Sequence, residues 1–200
     1  MSGVAPLGEP FAKFDELLAA ANAVPRSVLP EPTAFSFGTV SAEGQPSVRT
    51  LLLKHADERG FVFYTNYESR KGRDLLGNAR AAMCFHWQAL ERQVRIEGIV
   101  SPVTHEEADA YFASRVRSSQ IGAWASLQSR PIGAPGDLAS RVKEMEARFT
   151  GKEVPRPPHW SGFRLSPQRM EFWRSMPSRL HERLAYVRDG DRWRTETLYP

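Results

Sequence analysis

The residues of this sequence that could do chemistry are mainly cations and small polar residues. The most specific group lies near the C-terminus, where Arg179, His181 and Arg183 alternate along the chain. Side chains at alternate positions of an extended segment project from one face. The spacing therefore predicts a face with two cations and an imidazole, which suits a planar, electron-rich ligand better than it suits a protein core.

Three further groups place cations where anions commonly bind. Arg49 and Lys54 flank a predicted strand, although positions five apart point to opposite faces unless a bulge or the strand end redirects one of them. The tripeptide Ser69-Arg70-Lys71 begins a predicted helix, whose backbone N–H groups and dipole favour an anion. Tyr111 and Arg115 are four residues apart on one predicted helix face, so they can converge on one ligand. Each group alone is also typical of an ordinary solvated surface.

The charge composition favours small anions over nucleic acids as ligands. The 200 residues contain 27 Lys+Arg and 23 Asp+Glu, a formal net charge of +4. Only five of these cations are lysine, so the other 22 are arginine. Guanidinium groups bind phosphate and carboxylate bidentately, although GC-rich codon usage produces the same skew. A charge of +4 spread over 200 residues is not a basic patch, so we expect no nucleic-acid binding.

Several common kinds of site are excluded by their missing motifs. The sequence contains no GxGxxG after a strand, no GxxxxGK[ST] and no GxSxG, and its five histidines lack the spacing of metal ligands. The single cysteine, Cys84, falls in a predicted strand, so we expect a buried, inert thiol in a reducing compartment. The sequence also lacks an apolar run of about 20 residues and a signal peptide, which predicts a cytoplasmic protein without membrane contact.

The elements that must position these residues are mostly strands. We expect helices over 11–23, 69–76, 104–115, 118–126 and 136–149, the third opened by the capping box Thr104 to Glu107. We expect strands over 34–41, 47–55, 61–65, 79–87, 91–103, near Phe163, and over 170–174, 184–188 and 193–198. This pattern predicts a mainly β protein with helices, a Greek-key-like antiparallel barrel that is closed or split. We expect one domain over 1–200, with residues 1–23 as an N-terminal segment and helix and about 24–200 as the barrel and C-terminal region.

Several blocks, in order along the chain, resemble the pyridoxamine (pyridoxine) 5′-phosphate oxidase family of FMN enzymes. The segment Glu171 to Arg183 resembles the C-terminal signature of that family. The other blocks are 49–54, 61–66, 69–71, 90–94 and 118–124, so the resemblance covers roughly residues 34 to 200. It implies an FMN-binding split β-barrel that forms a homodimer, with two FMN sites at the subunit interface and a C-terminal dimerisation region.

The same resemblance implies the reaction and the residues of the site. The reaction is oxidation of pyridoxamine 5′-phosphate and pyridoxine 5′-phosphate to pyridoxal 5′-phosphate, with dioxygen as the electron acceptor. The implied substrate-binding residues are Lys54, Tyr111, Arg115 and Ser119, with Arg179 and His181 over the pyridine ring as the catalytic pair. The implied FMN-binding residues are Arg49, Thr50, Leu51, Leu52, Leu53, Lys54, Tyr64, Thr65, Arg70, Lys71, Gln93, Gln128, Ser129, Trp173 and Arg183. Within this set the FMN phosphate falls to Arg49, Arg70 and Lys71, with Ser129 beside Gln128 contributing from the other subunit.

Two alternatives remain open from the residues alone. Residues 155–158 and 171–173 also resemble a related flavin oxidase of phenazine biosynthesis, whereas the complete substrate-phosphate set favours the vitamin B6 oxidase. A non-catalytic module that binds flavin or polyanions is supported only by the arginine content. Six of the 22 arginines (49, 70, 115, 179, 183 and, less directly, 92) fall in the family blocks, and the other sixteen have no assigned task. The pair Arg179 and His181 argues against such a module. The family often has a basic N-terminal arm over the substrate, and the absence of any cation from Met1 to Pro10 argues against a lid here.

Overall fold

Ten strands and five helices follow one another along residues 2–200, the part of the chain that the computed structural model describes. The strands are β1 Ser2–Pro6, β2 Ala34–Val40, β3 Pro46–Leu52, β4 His55–Asp57, β5 Gly60–Asn66, β6 Arg80–Trp87, β7 Arg92–Pro102, β8 Trp160–Arg174, β9 Glu182–Asp189 and β10 Arg192–Thr197. The helices are α1 Glu9–Ala23, α2 Arg70–Gly77, α3 His105–Ser114, α4 Arg117–Ala125 and α5 Asp137–Arg148. Short 3-10 turns occupy Gln88–Leu90 and Pro177–Arg179.

All strand pairs are antiparallel, and the long strand β8 is where the sheet divides. The strand order is β1-β10-β9-β8-β7-β6-β2-β3, with β5 pairing both β4 and β8. Strand β7 pairs with β8 along one edge, with a register shift between Glu97 and Gly98. On the other edge, residues 160–165 pair with β5 and residues 169–174 pair with β9. The expected split barrel, mainly β with helices, is confirmed.

The barrel core follows from the alternation of apolar residues along its strands. Phe35 and Phe37 of β2, Phe61 and Phe63 of β5, and Phe85 of β6 are all nearly inaccessible to solvent. Helix α1 closes one end of this core, where the ring of Phe14 lies edge-on to Phe61 and Phe85, with centroids 4.9 and 5.1 Å away. Burying an aromatic or aliphatic side chain of this size contributes roughly 1.5–3 kcal/mol. The barrel is therefore a stiff support for the residues at its rim.

A second apolar cluster joins α3, α4 and α5 to the start of β8. Its buried members are Phe112, Ile121, Ala125, Met145, Phe149, Val154 and Trp160, and the rings of Tyr64 and Tyr111 pack against it. The capping box predicted for α3 is present, because Thr104 Oγ1 accepts from the Glu107 N–H and Glu107 Oε2 accepts from the Thr104 N–H, both at 3.1 Å. We call this group the helical cluster. The seam between it and the barrel is open to ligands.

Three strand expectations are corrected. The strand expected over 47–55 ends at Leu52 and resumes at His55, since the Leu53 and Lys54 N–H groups bond to Thr33 and Val62 carbonyls. The two strands expected near Phe163 and over 170–174 are one strand, because β7 supplies a partner along nearly its whole length. Strand β1 has no counterpart among the predicted elements.

The N-terminal segment belongs to the sheet. Residues 2–6 pair with β10, the indole N–H of Trp193 donates to the Leu7 carbonyl at 3.0 Å, and the Tyr186 hydroxyl donates to Glu9 at 2.7 Å. The argument against a lid from this segment stays a prediction. None of the helices within residues 2–200 has the length and apolar character needed to cross a bilayer.

Cys84 differs from its expectation in exposure. The residue is half-buried in β6, and not fully buried. Burial nevertheless raises the pKa of its thiol, with an opposing effect from Arg95. A raised pKa keeps the thiol protonated at neutral pH, so the expectation of an inert cysteine stands on this point.

Candidate functional site

A cavity of about 710 Å³ lies in the seam between the barrel and the helical cluster. The ends of β3, β5 and α3 and the beginnings of α2, α4 and β8 surround it. The site residues expected from the sequence that line it are Thr50, Leu51, Leu52, Lys54, Tyr64, Thr65, Lys71, Tyr111, Arg115, Ser119 and Gln128. Its lining, within residues 2–200, includes three cations and no carboxylate. We call it the cationic cavity, since this lining suits an anion.

Lys71 enters the cavity from the first turn of α2. The N-cap residue Ser69 accepts a hydrogen bond from the Gly72 N–H, which fixes the start of the helix. A Cβ on Gly72 would lie 2.3 Å from the Tyr67 carbonyl oxygen, so only glycine lets the helix approach the preceding loop this closely. The sequence thereby holds the Lys71 side chain inward, and 7% of the residue is exposed.

The buried ammonium group of Lys71 has neutral partners. Its Nζ donates to Thr65 Oγ1 at 3.0 Å, to Ser69 Oγ at 3.1 Å and to Gln128 Oε1 at 3.2 Å. Burial, and to a smaller extent the charge of Arg49, lowers the pKa of Lys71 to about 8. A buried cation without a carboxylate gains strongly from an anionic ligand.

Arg115, the C-cap residue of α3, also lines the cavity. Its Nη1 is the one buried side-chain nitrogen or oxygen within residues 2–200 that has no hydrogen-bond partner. Burial lowers the pKa of Arg115, yet a guanidinium stays charged at physiological pH. Ser119 and Val116 line the cavity beside it, at the start of α4, where backbone N–H groups favour an anion.

Two tyrosine rings form the wall between these cations. The rings of Tyr64 and Tyr111 stack with centroids 4.0 Å apart and an interplanar angle of 13°. The Tyr64 hydroxyl donates to the Glu107 carbonyl at 3.3 Å, and burial, with smaller contributions from Glu107 and Tyr111, raises the pKa of Tyr64. The wall is therefore neutral at physiological pH and presents an apolar face to a planar ligand.

Seven residues expected at the FMN site lie outside the cavity lining, and three of them, Arg49, Leu53 and Arg70, come from the same segments of chain as residues that line it. Arg49 donates to Thr39 Oγ1 and Ser47 Oγ, both at 2.7 Å, and lies 3.8 Å from a carboxylate oxygen of Asp74. Leu53 is buried in the barrel core, and Arg70 is exposed at the start of α2. As the alternation of strand side chains predicts, Arg49 and Lys54 do not meet in one cavity. Their roles at an FMN site stay predictions.

The C-terminal candidates line a different cavity, of about 600 Å³, at the far end of β8. Trp173, His181 and Arg183 line it, and Gln93, Trp173 and Arg183 face one another across β7, β8 and β9. The buried carboxylate of Glu171 accepts from Arg183 Nε at 2.8 Å, which fixes that guanidinium. We call this the C-terminal cavity.

The expectation that Arg179, His181 and Arg183 alternate along one extended face is wrong. Arg179 belongs to a 3-10 turn in which Ser178 has φ 58° and Arg179 has φ 62°, both left-handed. Consecutive left-handed residues without glycine are strained, and such strain is common at functional sites. Of the three residues, Arg183 lies in a strand, while Arg179 is exposed and is not in the lining of the C-terminal cavity.

A backbone hydrogen bond within the turn fixes the tautomer of the neutral His181 ring. The Met176 N–H donates to His181 Nδ1 at 3.2 Å, and the imidazole packs on Trp173 with centroids 4.6 Å apart. Because Nδ1 accepts this bond, the proton of the neutral ring is on Nε2. His181 therefore presents a hydrogen-bond donor to a ligand.

The two cavities lie at opposite ends of one strand. Trp160 begins β8 and lines the cationic cavity, whereas Trp173, near its end, lines the C-terminal cavity. Thirteen residues of extended chain span about 40 Å. Gln128 lines the cationic cavity of its own chain, where it accepts a hydrogen bond from Lys71. The resemblance implies instead that Ser129, beside Gln128, contributes from the other subunit. Ser129 is exposed and has φ 70°.

Sequence reasoning missed Trp160 and Asn66, which also line the cationic cavity. Trp160 follows the proline-rich segment 154–158 after one intervening residue, and an aromatic residue so close to such a segment was the available signal. Asn66 directly follows the predicted strand 61–65, where its side chain accepts from the Glu68 N–H at 2.7 Å. That bond shapes the turn into α2.

Comparison with known proteins gives consistent matches over most of the chain. A family model described as pyridoxamine 5′-phosphate oxidase matches residues 23–174, and one described as the pyridoxine 5′-phosphate oxidase C-terminal dimerisation region matches 160–200. The chain is 55% identical to the pyridoxine/pyridoxamine 5′-phosphate oxidase of Anaeromyxobacter dehalogenans, over 96% of both chains. It is 53% identical to that of Myxococcus xanthus DK1622, over 96% of this chain and 92% of that one.

Solved structures share the fold. PhzG from Burkholderia lata, in complex with tetrahydrophenazine-1-carboxylic acid, superposes with a TM-score of 0.87 at 33% identity, over 96% of this chain and 92% of that chain. A pyridoxamine 5′-phosphate oxidase-related, FMN-binding protein of Nostoc punctiforme superposes with a TM-score of 0.73 at 15% identity, over 94% of this chain and 96% of that chain. At that identity the likeness concerns the fold alone.

Proposed function

This chain belongs to the pyridoxamine 5′-phosphate oxidase family, and from that premise we propose that it oxidises pyridoxamine and pyridoxine 5′-phosphates to pyridoxal 5′-phosphate, with FMN as cofactor and dioxygen as electron acceptor. The observation that carries the proposal is the cationic cavity, in which the Lys71 side chain and the Nη1 atom of the half-buried Arg115 are buried without a carboxylate partner. Two phosphate esters supply the missing negative charge.

The FMN phosphate fits the Lys71 side of the cavity. All three N–H groups of the ammonium donate to Thr65, Ser69 and Gln128, so the phosphate replaces one of these neutral acceptors while the others keep the group in place. Arg70, at the start of the same helix, and Arg49, beside Asp74, are the further cations that we assign to this phosphate. Charge-assisted hydrogen bonds of this kind contribute about 1.5–3 kcal/mol each.

The substrate phosphate fits the Arg115 side. Lys54 and Arg115 supply positive charge, and the hydroxyls of Tyr111 and Ser119 supply hydrogen bonds from the same cavity lining. Holding the substrate by its phosphate fixes the position of the reacting carbon C4′, which is attached to the neighbouring ring atom. Binding of a group that does not react thus sets the orientation.

The remaining half of the site comes from a second chain. The C-terminal cavity is about 40 Å of strand away from the cationic cavity, so one small ligand cannot contact both cavities of one chain. The match of residues 160–200 to a dimerisation region supports a homodimer. We assign Trp173 and Arg183 of the partner subunit to the flavin ring, and Arg179 and His181 of the partner subunit to the pyridine ring.

The residues then have distinct tasks in the oxidation. FMN, when bound, supplies the acceptor for the hydride equivalent that leaves C4′ of the substrate, and dioxygen removes those electrons. His181 donates a hydrogen bond from Nε2 to the substrate, because Nδ1 is occupied by the Met176 N–H. Arg179 adds positive charge over the ring. His181 orients the substrate in this scheme and is not required as a base.

Purified protein should be yellow, with a flavin spectrum. Anaerobic addition of pyridoxamine 5′-phosphate should bleach the absorbance, and air should restore it with release of pyridoxal 5′-phosphate. A flavin spectrum that the substrate leaves unchanged would contradict the proposed reaction and favour the non-catalytic module. Tetrahydrophenazine-1-carboxylic acid serves as the comparison substrate, since the chain shares 33% identity with a protein solved in complex with it.

A hybrid dimer tests whether each site uses two chains. Arg115→Ala impairs the cationic cavity, and His181→Ala impairs the C-terminal cavity. Random mixing of the two inactive variants gives half hybrid dimers, each with one intact site of two, so activity should recover to about a quarter of the wild-type value. Mixing each variant with itself, after the same denaturation and refolding, is the control. No recovery in the mixed sample would place both cavities' residues at one chain's site.

A further inference from the structure

Trp160 is the residue at which several groups of the cationic cavity meet. Its ring is nearly parallel to that of Tyr64, with centroids 5.4 Å apart and an angle of 5°, and to that of Tyr111, at 6.1 Å and 8°. The guanidinium carbon of Arg115 lies 4.8 Å from the centroid of the same ring. One indole therefore contacts three residues that line the cavity and come from β5 and the end of α3.

The indole itself is firmly held. Trp160 is 7% exposed, its backbone N–H donates to the Pro157 carbonyl at 3.0 Å, and its carbonyl accepts from Arg156 Nη1 at 2.8 Å. Phe112 packs edge-on against it at 5.1 Å. On the neighbouring strand, the Tyr64 ring lies against Gly162, where a Cβ would be 2.7 Å from the ring. The missing Cβ lets that ring lie flat beside the indole.

The partner that holds Arg115 is aromatic and not acidic. Elsewhere in the chain, a buried arginine such as Arg164 is held by the carboxylates of Asp57 and Glu107. Within residues 2–200, Arg115 forms no ion pair, and its Nη1 has no hydrogen-bond partner. A carboxylate would occupy the guanidinium N–H groups and compete with a phosphate, whereas the face of an indole attracts the cation and leaves those groups available.

We propose that Trp160 is a positioning residue for the substrate phosphate: it holds Arg115 and Tyr111 in their binding geometry without neutralising the guanidinium. The proposal rests on the proposed function. It assigns to Trp160 no contact with the reacting atoms, so its effect falls on substrate binding and not on the oxidation step.

Trp160→Leu removes the aromatic face, and Trp160→Phe keeps a smaller one. With pyridoxine 5′-phosphate we expect KM to rise about 10-fold in the leucine variant and less in the phenylalanine variant, as loss of a desolvated cation–π contact implies. We expect kcat to change less than about threefold and the Kd of FMN to stay unchanged. Calorimetric titration of the FMN-loaded protein with pyridoxal 5′-phosphate should show the same weakening.

Trp124→Leu is the matched control. Arg148 lies over the Trp124 ring at 4.9 Å, so the chain contains a second arginine–indole contact, and Trp124 is not in the cavity lining. This variant should leave KM unchanged. Wild-type KM and pyridoxal 5′-phosphate affinity in both folded Trp160 variants would overturn the proposal. The proposal would also be overturned if KM rose while kcat and FMN affinity fell in parallel, because such changes indicate a merely structural role. If the leucine variant does not fold, the phenylalanine variant decides.

Inorganic phosphate separates this inference from the proposed function. If the wild-type protein does not oxidise pyridoxine 5′-phosphate, the proposed function fails, and titration with inorganic phosphate still measures the Arg115 subsite. Weaker phosphate binding in Trp160→Leu than in Trp124→Leu supports the positioning role. Equal phosphate binding in the two variants contradicts it, whatever the reaction.

Discussion

Lys71→Met is expected to raise the Kd of FMN about 10- to 150-fold while leaving the apoprotein at neutral pH no less stable than the wild type. The loss of affinity follows from removing a buried cation at the proposed phosphate site, where each charge-assisted bond contributes about 1.5–3 kcal/mol. The stability follows from the desolvation that lowers the pKa of Lys71 from 10.5 to about 8. Titration of apoprotein with FMN and thermal unfolding of the apoprotein measure the two effects.

The contribution of Lys71 to folding stability changes with pH in a direction that distinguishes it from an ordinary surface lysine. Below pH 8 the ammonium is charged in both the folded and the unfolded chain, so the cost of burying the charge is fully present. Between pH 8 and 10.5 the unfolded chain binds the additional proton, and the contribution of Lys71 to folding stability rises with pH. FMN affinity should show the opposite trend and fall above pH 8, since the neutral amine attracts phosphate less strongly.

Lys71→Arg is the matched control, because arginine keeps its charge at high pH. Its FMN affinity should not show the decline above pH 8 that the wild type shows. If Lys71→Met binds FMN within threefold of wild type, Lys71 does not bind the cofactor phosphate.

Arg115→Ala should lower kcat/KM for pyridoxine 5′-phosphate by about 100- to 1,000-fold, the equivalent of two charge-assisted hydrogen bonds. No protein group is expected to compensate for the lost guanidinium, since the Arg115 Nη1 has no hydrogen-bond partner within residues 2–200 that could bind the phosphate in its place. FMN affinity should change little, because the FMN phosphate is assigned to Lys71. Steady-state kinetics and an FMN titration on the same preparation test both statements.

Two variants sharpen the Arg115 experiment. Arg115→Lys keeps the charge and loses the planar fork, so it should fall between wild type and alanine. Arg148→Ala removes another guanidinium that lies over a tryptophan, Trp124, outside the cavity, and should leave kcat/KM unchanged. Equal losses of substrate and FMN affinity in Arg115→Ala would show that the two phosphate subsites are assigned incorrectly.

Local rules were sufficient where a few neighbouring residues decide the structure. The capping box of α3 and the N-cap at Ser69 follow from side-chain hydrogen bonds within three residues, and both are present. The N-cap at Ser69 begins the helix turn that carries Lys71, and the capping box begins the helix whose other end carries Tyr111 and Arg115, so much of the cationic cavity could be predicted. The left-handed turn at Ser178 and Arg179 could not, because tertiary contacts overcome an unfavourable backbone conformation there.

Some arginines to which the sequence analysis assigned no task hold strands and helices together. Arginines that had no assigned task from composition include Arg164, whose guanidinium bonds to Asp57 at 3.1 Å and to Glu107 at 2.7 Å. Although burial opposes it, hydrogen bonds from Arg59 and the charge of Arg164 lower the pKa of Asp57 to about 2. These contacts tie the start of α3 to β8. Sequence composition gives no access to such pairs, which form only when distant strands meet.

The length of β8 has a consequence for how the protein responds to dilution. With Trp160 at one end and Trp173 at the other, a ligand that touches both cavities must bridge two chains under the proposed arrangement. Ligand binding and subunit association are then thermodynamically linked, and each strengthens the other by the same factor. Under this arrangement the fraction of protein that retains its cofactor depends on protein concentration, and the bound flavin stabilises the dimer in addition to its role in the reaction.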